Sequence, residues 1–302
     1  MTNRELGQYL LQSLNMGLGS IMQGETSYTN SFDCKIMEEG FLFLPRLPAG
    51  YIIDDELYQK IFLIANAALY PRFTLLKQNS AYFMALDTDD IHVQRGLFFP
   101  WKKGIAKRLV IPNLEDFSTT QKDNLIPIMK NLILNYNKVT HIAIAGNSGA
   151  GKSYALIYFL SILKNISEMI IIDPKVDLPA RFGKEYNLPV LSPKRNRSKS
   201  DFVSEINENL SACLNLIQQR QEILYDKPDH QFEHLTIIID EVLALSEGVN
   251  KNIKDSFFSL LSQIALLGRA TKVHLLLVSQ RFDHNTIPVS VREQLNVLIN
   301  RK

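Results

Sequence analysis

One short run of this sequence spaces its residues as phosphate chemistry requires. Gly146-Asn147-Ser148-Gly149-Ala150-Gly151-Lys152-Ser153 has the form G-x-x-x-x-G-K-S. Glycines let a backbone turn sharply and bring its N–H groups against phosphate oxygens. The lysine is spaced to bridge β- and γ-phosphates, and the serine hydroxyl to hold Mg²⁺. Tyr154 follows directly and is included in the nucleotide-binding stretch. The expectation is ATP together with Mg²⁺.

A second cluster, Asp240-Glu241, lies 88 residues beyond Lys152 and closes the apolar run Leu-Thr-Ile-Ile-Ile. An acid at the tip of a parallel strand faces the crevice where ligands bind in open α/β sheets. Asp240 is expected to support Mg²⁺ with Ser153, and Glu241 to orient and deprotonate a water. A helix-capping aspartate beside a solvated glutamate has the same appearance. A third apolar run ends in Gln280-Arg281, and Arg269 follows a helical stretch. Gln280 is placed to sense the γ-phosphate, although a strand-end glutamine without chemistry looks alike. Arg269 or Arg281 is suited to stabilise transition-state charge across a subunit interface, or is ordinary surface charge.

Strands and helices must position these groups. Residues 141–145, 169–172, 235–239 and 273–278 are short apolar runs of the kind covered by helices on both faces. Helical spacing appears at 153–164, 205–224 and 253–267. The alternation indicates an α/β fold with a parallel sheet flanked by helices. Residues 118–137 also read as helical, with Ser118 and Gln121 as a capping box and Pro127 bending the helix.

The chain therefore divides into a small α+β domain at 1–115 and a P-loop ATPase domain at 116–302. In the first, residues 41–44, 81–86 and 91–99 read as strands. Residues 54–69 read as a helix capped by Asp54 or Asp55, with Pro71 beyond its end. No chemical motif stands in this part.

The pieces HIAIAGNSGAGKSYAL, IIIDPKVDL, TIIIDEVLAL and ALLGRATKVHLLLVSQRFD together resemble the FtsK/SpoIIIE/HerA group of RecA-like motor ATPases. The Asp173-Pro174-Lys175 turn and the stretch from Gly268 to Arg281 are the discriminating parts, and the likeness covers roughly residues 108–302. It implies a RecA-like core with strand order 5-1-4-3-2 and the Gln280 strand between the P-loop and Asp240 strands. It also implies a DNA-stimulated ATPase that translocates along or pumps double-stranded DNA as a ring-shaped homo-oligomer, usually a hexamer, with Arg269 as the trans finger. The end of the chain soon after the Gln280 strand departs from the family pattern, as does the lack of membrane helices and of a winged-helix tail. These departures point to a motor of a plasmid, phage or conjugative element, with a replication or conjugation protein as partner.

Two basic stretches are candidate DNA contacts. One is the loop 192–200, with Lys194, Arg195, Arg197 and Lys199, and the other is 101–108, with Trp101. Each reads equally as a solvated surface or a linker. A net charge of only +2 gives no whole-molecule attraction to nucleic acid. The two cysteines, Cys34 and Cys213, have no metal-ligand spacing, and Cys213 falls in an apolar helical stripe. With neither a signal peptide nor 18 successive apolar residues, the expectation is a cytoplasmic protein without membrane insertion. Two other functions fit the motifs: an ATP-dependent loader or initiator of replication, and a nucleotide-gated assembly scaffold.

Overall fold

The computed structural model describes residues 2–19, 31–49, 52–78, 82–105, 107–121, 123–282 and 286–301. Ala81, Ala106 and Asp283 from the readings above lie outside that set. Two compact units emerge, one from residues 1–109 with 127–133, the other from 110–126 with 134–302.

In the first unit the elements are α1 (Asn3–Gly19), β1 (Phe32–Ile36), β2 (Gly40–Pro45), α2 (Asp55–Leu69), β3 (Phe73–Leu75), β4 (Phe83–Ala85) and β5 (Arg95–Lys103). The strands form an antiparallel sheet ordered β1-β2-β5-β3, with β4 also on β5. Asp54 caps α2 by accepting the Leu57 N–H at 2.9 Å. Phe41, Phe99 and Tyr58 stack in series with centroids 4.8 Å apart and seal the core beneath both helices. Trp101 is buried in the same core, stacks on Phe73 and donates to the Glu38 carbonyl. It is therefore not exposed to stack on nucleic-acid bases. Residues 91–93 form a 3-10 turn, and the strand expected there starts only at Arg95.

Next along the chain come α3 (Leu114–Thr120), in the second unit, and then β6 (Leu125–Met129) and β7 (Leu132–Asn135), whose residues 127–133 are grouped with the first unit. This corrects the helix expected over 118–137. Asn113, not Ser118, caps the helix, accepting the Glu115 and Asp116 N–H groups, and the helix stops at Gln121. Asp123 and Asn124 then take positive φ, and Pro127 sits in a strand. Lys130-Asn131 forms the two-residue turn of a β-ribbon.

The remaining elements alternate as the apolar runs indicate. They are β8 (His141–Gly146), α4 (Lys152–Leu163), β9 (Ser167–Ile172), α5 (Leu178–Glu185), β10 (Val190–Leu191), α6 (Lys199–Asp226), β11 (His234–Ile239), α7 (Val242–Ser246), α8 (Lys251–Leu267), β12 (Val273–Ser279), α9 (Val289–Arg292) and β13 (Leu295–Arg301). Six strands make a parallel sheet ordered β10-β9-β11-β12-β8-β13. Counting from the P-loop strand, β13-β8-β12-β11-β9 is the order 5-1-4-3-2. β13 supplies a strand that the apolar-run reading did not mark.

Ile237, Ile239, Leu275 and Leu277 face α6 and α8, whose stripes Ile206-Leu210-Cys213-Ile217 and Phe257-Leu261-Ile264 are buried against them. The alternate residues Ile142, Ile144, Ile238, Leu276 and Val278 are buried too, with α4 on that face. Burial on both faces is why these strands read as unbroken apolar runs.

The N-terminal ends of these strands hold several groups of hydrogen-bonded polar side chains. Thr236 Oγ1 lies 2.6 Å from Tyr136 Oη and 2.7 Å from Ser167 Oγ. His274 Nδ1 donates to the Thr140 carbonyl at 2.9 Å, its Nε2 lies 2.8 Å from His234 Nδ1, and His234 Nε2 lies 3.0 Å from Asn137 Oδ1. His141 donates through Nε2 to the Ala265 carbonyl and accepts the Leu275 N–H on Nδ1. Burial depresses all three imidazoles, His141 and His234 to about 4 and His274 to about 3.

Candidate functional site

At the opposite, C-terminal end of the sheet, β8 delivers the chain into the phosphate-loop motif. Gly149 and Gly151 adopt φ +79° and +82°, the left-handed region that costs a side-chain-bearing residue about 1 kcal/mol or more. A Cβ at Gly149 would meet no atom within 4 Å, so backbone conformation alone selects glycine there. Gly151 is the N-cap of α4 and offers no side-chain acceptor, so the helix opens with its N–H groups and positive dipole end facing the loop. That arrangement suits a phosphate. Lys152 Nζ donates to the Gly146 carbonyl at 2.7 Å and the Asn147 carbonyl at 3.1 Å, which holds the ammonium over the loop. Ser153 opens the helix beside it, and Tyr154 is 78 % exposed.

β11 ends at Ile239, paired with Ile172 of β9, and both strands run on into acids. Asp173 is fully buried and accepts four backbone N–H groups, from Lys175, Val176, Asp177 and Ala180, at 2.8–3.1 Å. It thereby moulds the whole turn before α5. Val176 is driven to φ +56°, a strained conformation for a β-branched residue that costs about 1–3 kcal/mol.

Asp240 is buried beside Asp173. Its carboxyl is raised to about 6, first by burial and then by the Asp173 charge, with Glu241 adding to the effect and Lys175 and Lys152 opposing it. Glu241 is the N-cap of α7 at φ +55°, nearly buried, and its Oε2 receives Lys175 Nζ at 2.9 Å. Partial burial works against the Lys175 charge. The Glu241 hydrogen bond and the charges of Glu241, Asp240 and Asp173 outweigh it and raise the ammonium's pKa.

Asn147, Lys175, Glu241, Gln280 and Arg281 line one open crevice of about 520 Å³. The P-loop, the acid after β11 and the amide after β12 thus converge, as the strand order requires. A larger depression of about 920 Å³, lined by Ser167, His234 and Lys272, lies at the other end of the sheet and contains none of the motif residues. Arg269 is exposed in the turn between α8 and the start of β12. It stands at that same N-terminal end of the sheet, away from its own P-loop.

Among the described residues no group of three or more His, Cys, Asp or Glu side chains forms a metal cage. One serine hydroxyl and one carboxylate beside a phosphate cradle instead fit Mg²⁺, which keeps most of its waters and leans on phosphate oxygens. Lys175 and Asp173 were visible in the sequence only as a family fingerprint. The signal for a role was the position of Asp173 at the tip of a strand that neighbours the Asp240 strand.

No family model matches the chain. A search of curated proteins finds an FtsK-domain protein of Bacillus subtilis (strain 168), YdcQ, 22% identical over 187 residues, covering 59% of this chain and 38% of that protein. It also finds the DNA translocase FtsK of Sporosarcina ureae, 28% identical over 165 residues, covering 48% of this chain and 20% of that protein. The chain is thus similar in sequence to FtsK-domain proteins. It spans less than two fifths of the length of either relative. Among solved structures, the pCW3 conjugation coupling protein TcpA, in a monomer form with ATPγS, superposes with a TM-score of 0.51 at 17% identity. The match covers 99% of this chain and 82% of that one, a likeness of fold. The fold is thus α/β, a parallel six-stranded sheet flanked by helices.

The two basic stretches are not equivalent. In the loop before α6, Lys194 and Arg197 both pair with Glu205 at 2.7 and 3.0 Å, and Lys199 donates to the Glu247 carbonyl. Ser198 and Asp201 form the capping box of α6. Lys102 and Lys103 are exposed at the end of β5. Among the described residues no helix is long and apolar enough to cross a membrane.

Proposed function

We propose that this protein is a Mg²⁺-dependent ATPase that uses hydrolysis to move double-stranded DNA, working in the cytoplasm as a ring-shaped homo-oligomer. Residues 116–302 form the motor in this reading, and residues 1–115 an accessory domain. The observation that carries it is the convergence of Asn147, Glu241 and Gln280 on one crevice at the C-terminal end of the sheet. The DNA translocases among its relatives supply the direction of the chemistry.

In this reading Lys152 and the free N–H groups of α4 hold the phosphates, with Tyr154 at the mouth. Ser153 and Asp240 would hold Mg²⁺, which when bound neutralises charge on phosphate oxygens. Glu241, as a carboxylate at the crevice wall, orients water and accepts its proton. Gln280 senses the γ-phosphate from the tip of β12. Arg269, remote from its own P-loop, serves a neighbouring subunit.

Steady-state ATP hydrolysis with and without linear double-stranded DNA tests the proposal, with Glu241→Gln as the blank. The expected result is strong stimulation by DNA, and a drop of roughly 10²–10⁴ in turnover in the variant with ATP binding retained. Turnover indifferent to DNA would remove the motor and leave a nucleotide-gated scaffold. Equal hydrolysis by the variant would remove Glu241 from the mechanism.

A further inference from the structure

We propose that Lys175 is the positioning residue for Glu241, holding its carboxylate at the crevice wall in the orientation from which it acts on water. The inference rests on the ATPase reading above and assigns a residue to it for which that reading gives no role.

Three observations carry it. First, the ion pair is asymmetric. Glu241 is nearly buried, with its side chain only 8 % exposed, while the Lys175 side chain is 52 % exposed and lines the crevice. A half-exposed lysine is a weak source of stability, since such pairs gain little against solvent and side-chain entropy. It is well placed, however, to fix the direction of a carboxylate that has few other ways to be held.

Second, both partners stand on backbone that is fixed and strained. Glu241 occupies the left-handed region at φ +55° and starts α7 without capping it by its side chain. The turn carrying Lys175 is moulded by the four N–H bonds to Asp173, with Val176 at φ +56°. Strain of this kind persists only where the surroundings over-determine it, and here it occurs on both sides of one ion pair.

Third, the register leaves no slack between the two loops. β9 and β11 pair in parallel with Ile172 opposite Ile239, and the Asp240 N–H still donates to the Ile172 carbonyl. The Lys175 turn and Glu241 therefore leave adjacent strands at the same level. The lysine spans from one strand end to the other, and Glu241 inherits the rigidity of both.

A lysine in this place could instead bind nucleotide phosphate itself, or could restrain Glu241 from acting. Kinetics separate these roles. Lys175→Met, Lys175→Arg, Glu241→Gln and the Lys175→Met/Glu241→Gln double variant of the full chain are compared for steady-state ATP hydrolysis, for ATPγS binding by calorimetry and for unfolding midpoint. Positioning predicts that Lys175→Met lowers kcat by about 10- to 100-fold while the ATPγS Kd stays within about 3-fold, and that Lys175→Arg recovers most of the loss. It also predicts that Lys175→Met adds nothing in the Glu241→Gln background, because it acts through that carboxylate.

An unchanged or raised kcat in Lys175→Met overturns the proposal. So does a Kd that weakens in step with kcat, which marks a phosphate contact, or losses that multiply in the double variant. A wild-type chain that binds ATPγS but shows no turnover, or that binds none, overturns the ATPase reading and this one with it. That outcome is told apart because it appears before any variant is made.

Discussion

The two ends of the parallel sheet share the same strands and treat polar groups in opposite ways. At the N-terminal end, Thr236 bonds Tyr136 and Ser167, His234 pairs with His274, and His141 is held between two backbone groups. At the C-terminal end, three acids and two lysines gather around a crevice, on turns whose backbone enters the left-handed region at Gly149, Gly151, Val176 and Glu241. The first end has the form of paired groups that specify a fold, since paired buried polar groups rigidify a core. The second sets helix N–H groups and charges beside a space. Polar atoms do not make a site merely by being numerous; what distinguishes this end is that its paired charges and a helix N-terminus border an open crevice.

The sharpest break of the comparison is Lys152→Ala. Binding and turnover of ATP are expected to fall by about 10³-fold or more, with an unfolding midpoint within a few degrees of the parent. A large loss of stability would mean that this lysine belongs to the scaffold rather than the site.

Next in size is the response to pH, where the two ends carry opposite signs. His141, His234 and His274 have folded-state pKa values below that of an unfolded histidine. Their contribution is present above about pH 6.5 and is lost as pH falls towards 4. Asp240 is raised from 3.8 to about 6, so its contribution is present below pH 4 and is lost as pH rises through 6. Between pH 4 and 6 three histidines oppose one aspartate, and the unfolding midpoint should rise with pH. Asp240→Asn should steepen that rise and stabilise the ligand-free fold at pH 7 by up to about 3 kcal/mol, while weakening Mg²⁺-dependent ATP binding. Thermal unfolding across pH 4–7 reads both effects, and a flat profile in the variant would contradict the assignment.

Tyr136→Phe probes the N-terminal end. It removes one hydroxyl from the Tyr136–Thr236–Ser167 chain and should cost about 1 kcal/mol in denaturant unfolding, with the ATP Kd unchanged. A change in Kd would join the two ends energetically. Smallest of all is Val176→Gly. Relief of the positive φ offsets the added freedom of the unfolded chain, so stability should move by less than about 1 kcal/mol, whereas Val176→Ala retains the strain.

The same contrast explains what the sequence made legible. Strands covered on both faces are short apolar runs, so β8, β9, β11 and β12 could be read within a residue or two, and the motifs at their tips followed. The stripes of α6 and α8 were equally plain. The segment after Ser118 was not. Leu-Ile-Pro-Ile-Met and Leu-Ile-Leu-Asn carry enough apolar residues to satisfy a helical period, and their separation by Lys130-Asn131 is a hairpin signal only if Pro127 is given full weight against a helix. The Lys175–Glu241 pair was illegible for another reason. It joins residues 66 positions apart, through a turn whose shape is set by the buried carboxylate of Asp173. Spacing reveals which residues stand at strand tips, but not which of them reach each other.

The strand order also has a consequence for how the protein comes into being. β8 and β9 follow one another along the chain, yet β11 and β12 stand between them in the sheet. The phosphate loop is therefore synthesised early and waits for two strands that arrive about 90 and 130 residues later. Such non-local pairing is slow, because loop closure must be met before any contact rewards it. The crevice is complete only when the last central strand is in place, so nucleotide binding of the kind proposed above requires a core that has finished folding.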